Sequence, residues 1–167
     1  MVGSQRDSPS PWDWAIIPLS LVVALVLMAV PLPRGAMQYR PDWVGLVLIY
    51  WCLFIPERVG IGTGWLSGLL MDVMQYTLLG QNALSKAVLA FLANQVHSHV
   101  RMYPWWQQSI VVFILLSIDV AIVALIHGMV GGVTLDWRYW MPCVVAMLIW
   151  PWLGLLFRTT TRRVRTS

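Results

Sequence analysis

Residues 106–129 of the chain read WQQSIVVFILLSIDVAIVALIHGM, and this stretch decides the class of protein. Its only ionisable side chains are Asp119 and His127, and the run exceeds the roughly 20 residues that a helix needs to cross a bilayer. The stretch therefore predicts a transmembrane helix.

The composition of the whole chain indicates the same class. Of its 167 residues, 59% are hydrophobic and 11% are charged, whereas soluble domains carry about 25% charged residues. So little charge does not cover a water-facing surface, and the high hydrophobicity excludes a disordered chain. The length suggests one domain, with room for roughly five to seven spans and for no extramembrane domain.

Five further apolar runs flank this stretch, and together they predict an all-α integral membrane protein with about six transmembrane helices in one bundle. The second run is short, because thirteen residues of helix reach only about 20 Å against a hydrocarbon core of about 30 Å. A re-entrant hairpin formed by the second and third runs is therefore the alternative to two full spans. The six runs are residues 14–32, 43–55, 59–76, 79–96, 106–129 and 139–157.

The arginines of the short loops predict the orientation in the membrane. With the N-terminus inside, the cytoplasmic segments hold seven arginines, while the outside loops hold three. We therefore expect a short cytoplasmic tail at residues 1–13, a transmembrane domain at residues 14–157 and a basic cytoplasmic tail at residues 158–167. The seven cytoplasmic arginines are Arg6, Arg58, Arg101, Arg158, Arg162, Arg163 and Arg165, and the outer three are Arg34, Arg40 and Arg138.

Several ionisable side chains fall inside the predicted spans, and each is a functional-site hypothesis because a charge inside a bilayer is costly. Asp72 and Lys86 lie at similar depth on adjacent predicted helices, so we expect them to form a buried ion pair that fixes helix packing. Asp119 is the alternative partner for Lys86. A transport or catalytic role for these charges is the competing interpretation. His127 lies near the outer end of its span and is expected at the interface.

Three glycines predict a close contact between helices. Gly60, Gly64 and Gly68 recur every four residues, and Asp72 follows at the same interval. Small residues at this spacing let two helices approach closely. The contact partner is either another helix of this chain, which we favour, or a helix of another membrane protein.

The sequence carries none of the motifs that would indicate an enzyme. Cys52 and Cys143 both lie in apolar runs, which excludes a disulfide scaffold and a cysteine zinc site. His97 and His99 have no further metal ligand nearby in the sequence. No phosphate-binding loop, dinucleotide fingerprint or zinc-protease helix occurs. We therefore expect no catalytic site, no cofactor or metal, and no nucleic-acid partner.

One set of short motifs has a more specific combined spacing. In chain order it comprises Arg40-Pro41-Asp42-Trp43, Tyr50-Trp51, Pro56, Gly62-Thr63-Gly64, Gly68, Asp72, Leu79-Gly80, Ala83-Leu84 and, near the end, Trp150-Pro151-Trp152 with Arg158. This combination resembles the rod shape-determining protein MreD family of Gram-negative bacteria. The resemblance covers about residues 14–158 and adds Tyr50, Trp51 and Pro56 to the structural or interaction candidates.

The resemblance implies a non-enzymatic inner-membrane scaffold of the rod complex, or elongasome, which directs side-wall peptidoglycan synthesis and maintains rod shape. The partners it implies are the coiled-coil protein MreC, the filament protein MreB, and RodA with its transpeptidase, besides membrane lipids. The implied fold is similar to the substrate-binding subunit of energy-coupling-factor transporters. That likeness keeps open a transporter-like subunit that binds a small molecule or a lipid, and an enzyme acting on a lipid carrier is a third class.

Overall fold

The structure is a computed structural model that describes residues 11–30, 40–130 and 140–166. Within these ranges the chain forms six α-helices and no β-strand, which confirms the all-α prediction, and each helix overlaps one predicted apolar run. The helices are α1 (Pro11–Ala29), α2 (Trp43–Phe54), α3 (Ile61–Gln75), α4 (Gln81–Val100), α5 (Trp105–Met129) and α6 (Met141–Thr166).

The short helix α2 forms the centre of the bundle. Residues 44–53 are all buried, as expected for a helix that is apolar on every side. Asp42 caps its start, because the carboxylate accepts a hydrogen bond from the backbone N–H of Gly45 at 3.0 Å. A turn at Pro56-Glu57-Arg58 follows its end. Neighbouring helices enclose α2, so lipid contact does not set its length of 12 residues.

Helices α3 and α4 run antiparallel and make the most extensive contact between helices. A β-carbon on Gly64 would lie 2.9 Å from Cβ of Ala90, and one on Gly68 would lie 2.6 Å from Cα of Ala83. These positions leave no room for a side chain. Gly60 differs, because the nearest atom to its ideal β-carbon lies 3.8 Å away. The close approach is thus made within the chain, at two of the three glycines.

The outer surface of the bundle is apolar, while charged and amide side chains are buried. On the outside, Leu125 and Leu148 are each 67% exposed. This distribution is the reverse of that in soluble proteins and is suited to a lipid environment. The buried polar side chains on α3 and α4 are Ser67, Asp72, Gln81, Asn82, Ser85 and Lys86.

Among the described helices, α5 over Trp106–Met129 has the length and composition to cross a membrane, while Ala15–Ala29, Trp43–Phe54 and Met141–Leu156 are shorter apolar segments. Helices α3 and α4 are less apolar because they carry the buried polar residues. At the C-terminal end, α6 continues to Thr166. The expected basic tail is therefore an extension of this helix up to that residue. Residue 167, most of the expected N-terminal tail, and Arg34 and Arg138 of the expected outer loops lie outside the described residues.

Candidate functional site

Lys86 is the centre of a buried charge cluster that joins three helices. Its Nζ lies 2.6 Å from Oδ2 of Asp42 and 2.6 Å from Oδ2 of Asp119. Lys86 is 1% exposed and Asp119 is 4% exposed. The cluster therefore links the start of α2, the first half of α4 and the middle of α5 through two ion pairs. The Lys86–Asp119 pair is buried, whereas the Asp42 side chain is 19% exposed.

Asp72 does not pair with Lys86, so the expected Asp72–Lys86 ion pair is wrong, and the alternative partner Asp119 is confirmed. The Asp72 carboxylate instead accepts five hydrogen bonds from the turn between α3 and α4 and from the first residues of α4. The donors are the backbone N–H groups of Gly80 (2.8 Å), Asn82 (3.0 Å) and Ala83 (3.2 Å), the Thr77 hydroxyl (3.0 Å) and the Asn82 side-chain amide (2.9 Å).

The geometry of the turn explains this arrangement. Helix α3 ends at Tyr76, which adopts a left-handed conformation with φ of 53°, and Gly80 has φ of 100°. The chain thus reverses within a few residues. The first N–H groups of a helix have no partner within the helix and carry partial positive charge. Here those of α4 point at Asp72, which acts as the cap of the next helix.

The sequence reasoning missed Asp42 as a partner of Lys86. Asp42 lies outside the apolar runs, so the pattern does not indicate an intramembrane charge at this position. An aspartate directly before an apolar run is nevertheless a helix-start signal, and the hydrogen bond to Gly45 has that role. Its second carboxylate oxygen is then left for Lys86, so one side chain both caps α2 and forms an ion pair.

A cavity of about 240 Å³ lies beside this charge cluster. It is lined by the ends of α1, α3 and α5 and by the starts of α2, α4 and α6, so successive helices alternate in direction. Besides the charged cluster, α1, α3, α4, α5 and α6 each contribute at least one residue to the wall. These include Met28, Gln75, Asn82, Val123, His127 and Pro142.

Two polar atoms in the cavity wall lack a hydrogen-bond partner among the described residues. One is Oδ1 of Asp119, and the other is Nε of Arg40. The Arg40 guanidinium donates from Nη2 to the carbonyl oxygen of Leu27 at 2.8 Å, which holds it at the edge of the cavity. Partial burial lowers the pKa of Arg40 from its ordinary value. Both unpartnered atoms are buried, although the residues that carry them line the cavity.

Tyr50 and Trp51 are core residues in this structure. Trp51 is fully buried, and its indole N–H donates to Oγ of Ser20 at 2.8 Å, which ties α2 to α1. The Tyr50 ring packs against the rings of Phe54 and Trp150, with centroid distances of 4.6 Å and 6.1 Å. Neither side chain is available on the surface for a partner protein.

The histidines do not form a metal site in the part of the chain that the structure describes. No group of three or more His, Cys, Asp or Glu side chains there is arranged to hold an ion. His127 lies in the cavity wall, with Nδ1 3.3 Å from Nε2 of Gln81. It is thus a neighbour of the charge cluster.

Comparison with known proteins gives two consistent findings. The family model described as rod shape-determining protein MreD matches residues 10–160. The rod shape-determining protein MreD of Haemophilus influenzae is 31% identical over 153 residues, which cover 92% of this chain and 94% of that protein. No solved structure matches the chain.

Proposed function

The chain belongs to the family of rod shape-determining protein MreD, and on this premise we propose that it is a non-enzymatic scaffold of the rod complex in the bacterial inner membrane. The observation that carries the proposal is the family match over residues 10–160, which spans almost every described residue. In this role the protein helps to organise side-wall peptidoglycan synthesis and so maintains rod shape.

The distribution of side chains supports an action through helix faces. The charged groups on α3, α4 and α5 are engaged inside the bundle, where they fix helix packing. The outer faces offer mainly apolar side chains, such as Leu125 and Leu148. Such faces bind lipid chains or the spans of other membrane proteins by close packing. We place MreC first among the partners, with MreB, RodA and its transpeptidase in the same complex.

The proposed topology has six spans with both termini in the cytoplasm. The alternating directions of α1 to α6 around the cavity support an even number of crossings, which leaves both termini on the side opposite the cavity. Seven arginines fall on that side against three on the other, and the side richer in arginine is cytoplasmic. The likeness to energy-coupling-factor subunits stays a prediction.

Capture of MreC tests the partner assignment. The full-length chain carrying an affinity tag is expressed in its host bacterium, extracted in mild detergent and purified. MreC should co-purify at a constant ratio, whereas a tagged multi-span protein of unrelated function should not retain it. Purification of the chain without MreC, under conditions that preserve other inner-membrane complexes, would contradict the proposed contact.

A further inference from the structure

We propose that a groove between α1 and α6 binds one anionic phospholipid, with an acyl chain in the groove and the phosphate at the arginines that follow on α6. A lipid whose headgroup has a net negative charge, such as phosphatidylglycerol, has this chemistry. The site depends neither on the scaffold role nor on which side of the membrane holds the termini, so either proposal can fail without the other.

The groove has a volume of about 330 Å³ and an apolar lining. Helix α1 forms one wall with residues 16–27, α6 forms the other with Leu153 and Leu156, and the first half of α2 forms the floor. The one hydroxyl in the lining, that of Ser20, is already engaged, because it donates to the carbonyl oxygen of Ile17 and accepts from the indole of Trp51, each at 2.8 Å. The groove therefore suits a hydrocarbon chain.

The dimensions of the groove favour an acyl chain over a helix of a partner protein. Ile16 and Leu27, at the two ends of the α1 wall, are about 17 Å apart along the helix axis, which is close to the roughly 15 Å of hydrocarbon in one leaflet. A volume of about 330 Å³ over this length gives a mean cross-section of about 20 Å². A helix with its side chains is at least about 10 Å wide and occupies about 80 Å², so the groove is too narrow to seat one.

The part of α6 that continues beyond the groove is basic. The helix extends to Thr166, and from Phe157 to the end of the chain the sequence holds four arginines and no acidic residue. These arginines lie within about 12 Å of Phe157 along the helix axis, a stretch that covers a headgroup layer of about 5–8 Å. Basic clusters directly beside a span attract anionic lipids. The four are Arg158, Arg162, Arg163 and Arg165.

The helical register connects the groove to this basic segment. Arg163 follows Leu156 by seven residues, which is two turns of helix, so the backbone places both on the same side of α6. Thr160 follows Leu153 by the same interval. A lipid chain beside Leu156 and Leu153 therefore has its phosphate at the level of Thr160 and Arg163. A guanidinium matches phosphate geometry, and the excess of positive charge favours an anionic headgroup over a zwitterionic one.

The test uses the purified full-length chain in detergent, with bound lipid counted by native mass spectrometry over a range of lipid concentrations. The probes are phosphatidylglycerol and phosphatidylethanolamine with identical acyl chains, and free glycerol 3-phosphate, which has the phosphate but no chain. We expect one phosphatidylglycerol to bind at least about tenfold more tightly than phosphatidylethanolamine, from several arginines near the phosphate. Glycerol 3-phosphate should not compete, because it cannot fill the groove.

One pair of variants tests the headgroup site. Arg163→Gln should weaken binding of phosphatidylglycerol about fivefold, as expected for the loss of one arginine near an anionic lipid. Arg101→Gln is the matched control, because it removes the same charge at the end of α4, where the guanidinium carbon lies 6.0 Å from the Phe54 ring centroid. Helices α4 and α6 both start at the cavity, so Arg101 is at the same end of the bundle as Arg163. It should leave binding unchanged.

A second pair of variants tests the acyl-chain site. Val23→Phe places a larger side chain in the groove and should weaken binding of phosphatidylglycerol severalfold, whereas Val22→Phe, on the neighbouring residue outside the groove, should not. The two valines are 51% and 52% exposed, so neither change disturbs the core.

Three results would overturn the proposal. They are equal binding of the two lipids, unchanged binding by Arg163→Gln, and equal effects of Val23→Phe and Val22→Phe. Competition by glycerol 3-phosphate would assign the arginines to a soluble anion instead. Release of a co-purifying membrane protein by Val23→Phe, with phosphatidylglycerol binding intact, would assign the groove to a partner span.

Discussion

Replacing Lys86 with methionine should destabilise the protein more than any other single change in the charge cluster. Methionine has a similar length and no charge, so the substitution removes the ammonium while largely preserving packing. Lys86 is 1% exposed and makes two ion pairs of 2.6 Å. Its loss leaves two carboxylates facing each other without a cation.

The magnitude follows from the burial of the partners. Breaking a buried ion pair costs about 3–5 kcal/mol because an uncompensated charge remains. The Asp42 side chain is 19% exposed and keeps a hydrogen bond from Gly45, whereas the Asp119 side chain is 5% exposed. Most of the cost therefore comes from Asp119. A loss of about 3–5 kcal/mol is a large share of a typical unfolding free energy of about 5–15 kcal/mol.

Chemical unfolding of the purified protein in detergent, followed by tryptophan fluorescence, measures this effect. Leu84→Met is the matched control, because Leu84 lies on α4 but is 53% exposed. The double variant Lys86→Met/Asp119→Asn should recover part of the loss, which gives a coupling of about 1–3 kcal/mol. Wild-type stability of Lys86→Met, or coupling of Lys86 to Asp72 in place of Asp119, would refute the assignment.

Three further changes test other parts of the structure. Gly68→Ala should lower the free energy of unfolding by about 1–3 kcal/mol through overpacking, because its β-carbon would lie 2.6 Å from Cα of Ala83. Gly62→Ala is the control and should not lower it, because no atom lies within 4 Å of that β-carbon. Equal unfolding midpoints for the two variants would contradict the contact. Asp72→Ala should lower the free energy of unfolding by several kcal/mol, because each charge-assisted hydrogen bond contributes about 1.5–3 kcal/mol. Amide hydrogen exchange should rise first at the start of α4, and unchanged protection there would refute the capping role. A reporter fused at Ser167 should be active only as a cytoplasmic reporter, and a periplasmic signal would overturn the orientation.

The positions of the six helices were predictable because each depends on a local property. Apolar runs bounded by Pro, Gly and charged residues determine where helices begin and end, and the short α2 appeared as a short run. The predicted end of the last span at residue 157 is too early, because apolarity stops there while α6 continues to Thr166. Polar residues such as Arg162 do not end a helix by themselves.

The charge cluster was only partly predictable because it depends on tertiary contacts. Depth along the helices gave Asp119 as one candidate for Lys86 but ranked Asp72 first. Depth alone did not account for the free N–H groups at the start of α4, which engage Asp72. Asp42 lies far from Lys86 in sequence and before its own helix, so no local spacing relates the two. The cavity has the same origin, since five helices and the residues just before α2 contribute to its wall.

The role in rod shape is tested most directly by the length-to-width ratio of cells during depletion of this protein. Cells with normal levels, or depleted cells supplied with the wild-type chain from a plasmid, should remain rods. Depleted cells should become round as side-wall synthesis loses its organisation, while uptake of nutrients continues. Depleted cells that keep their rod shape through several generations would contradict the account.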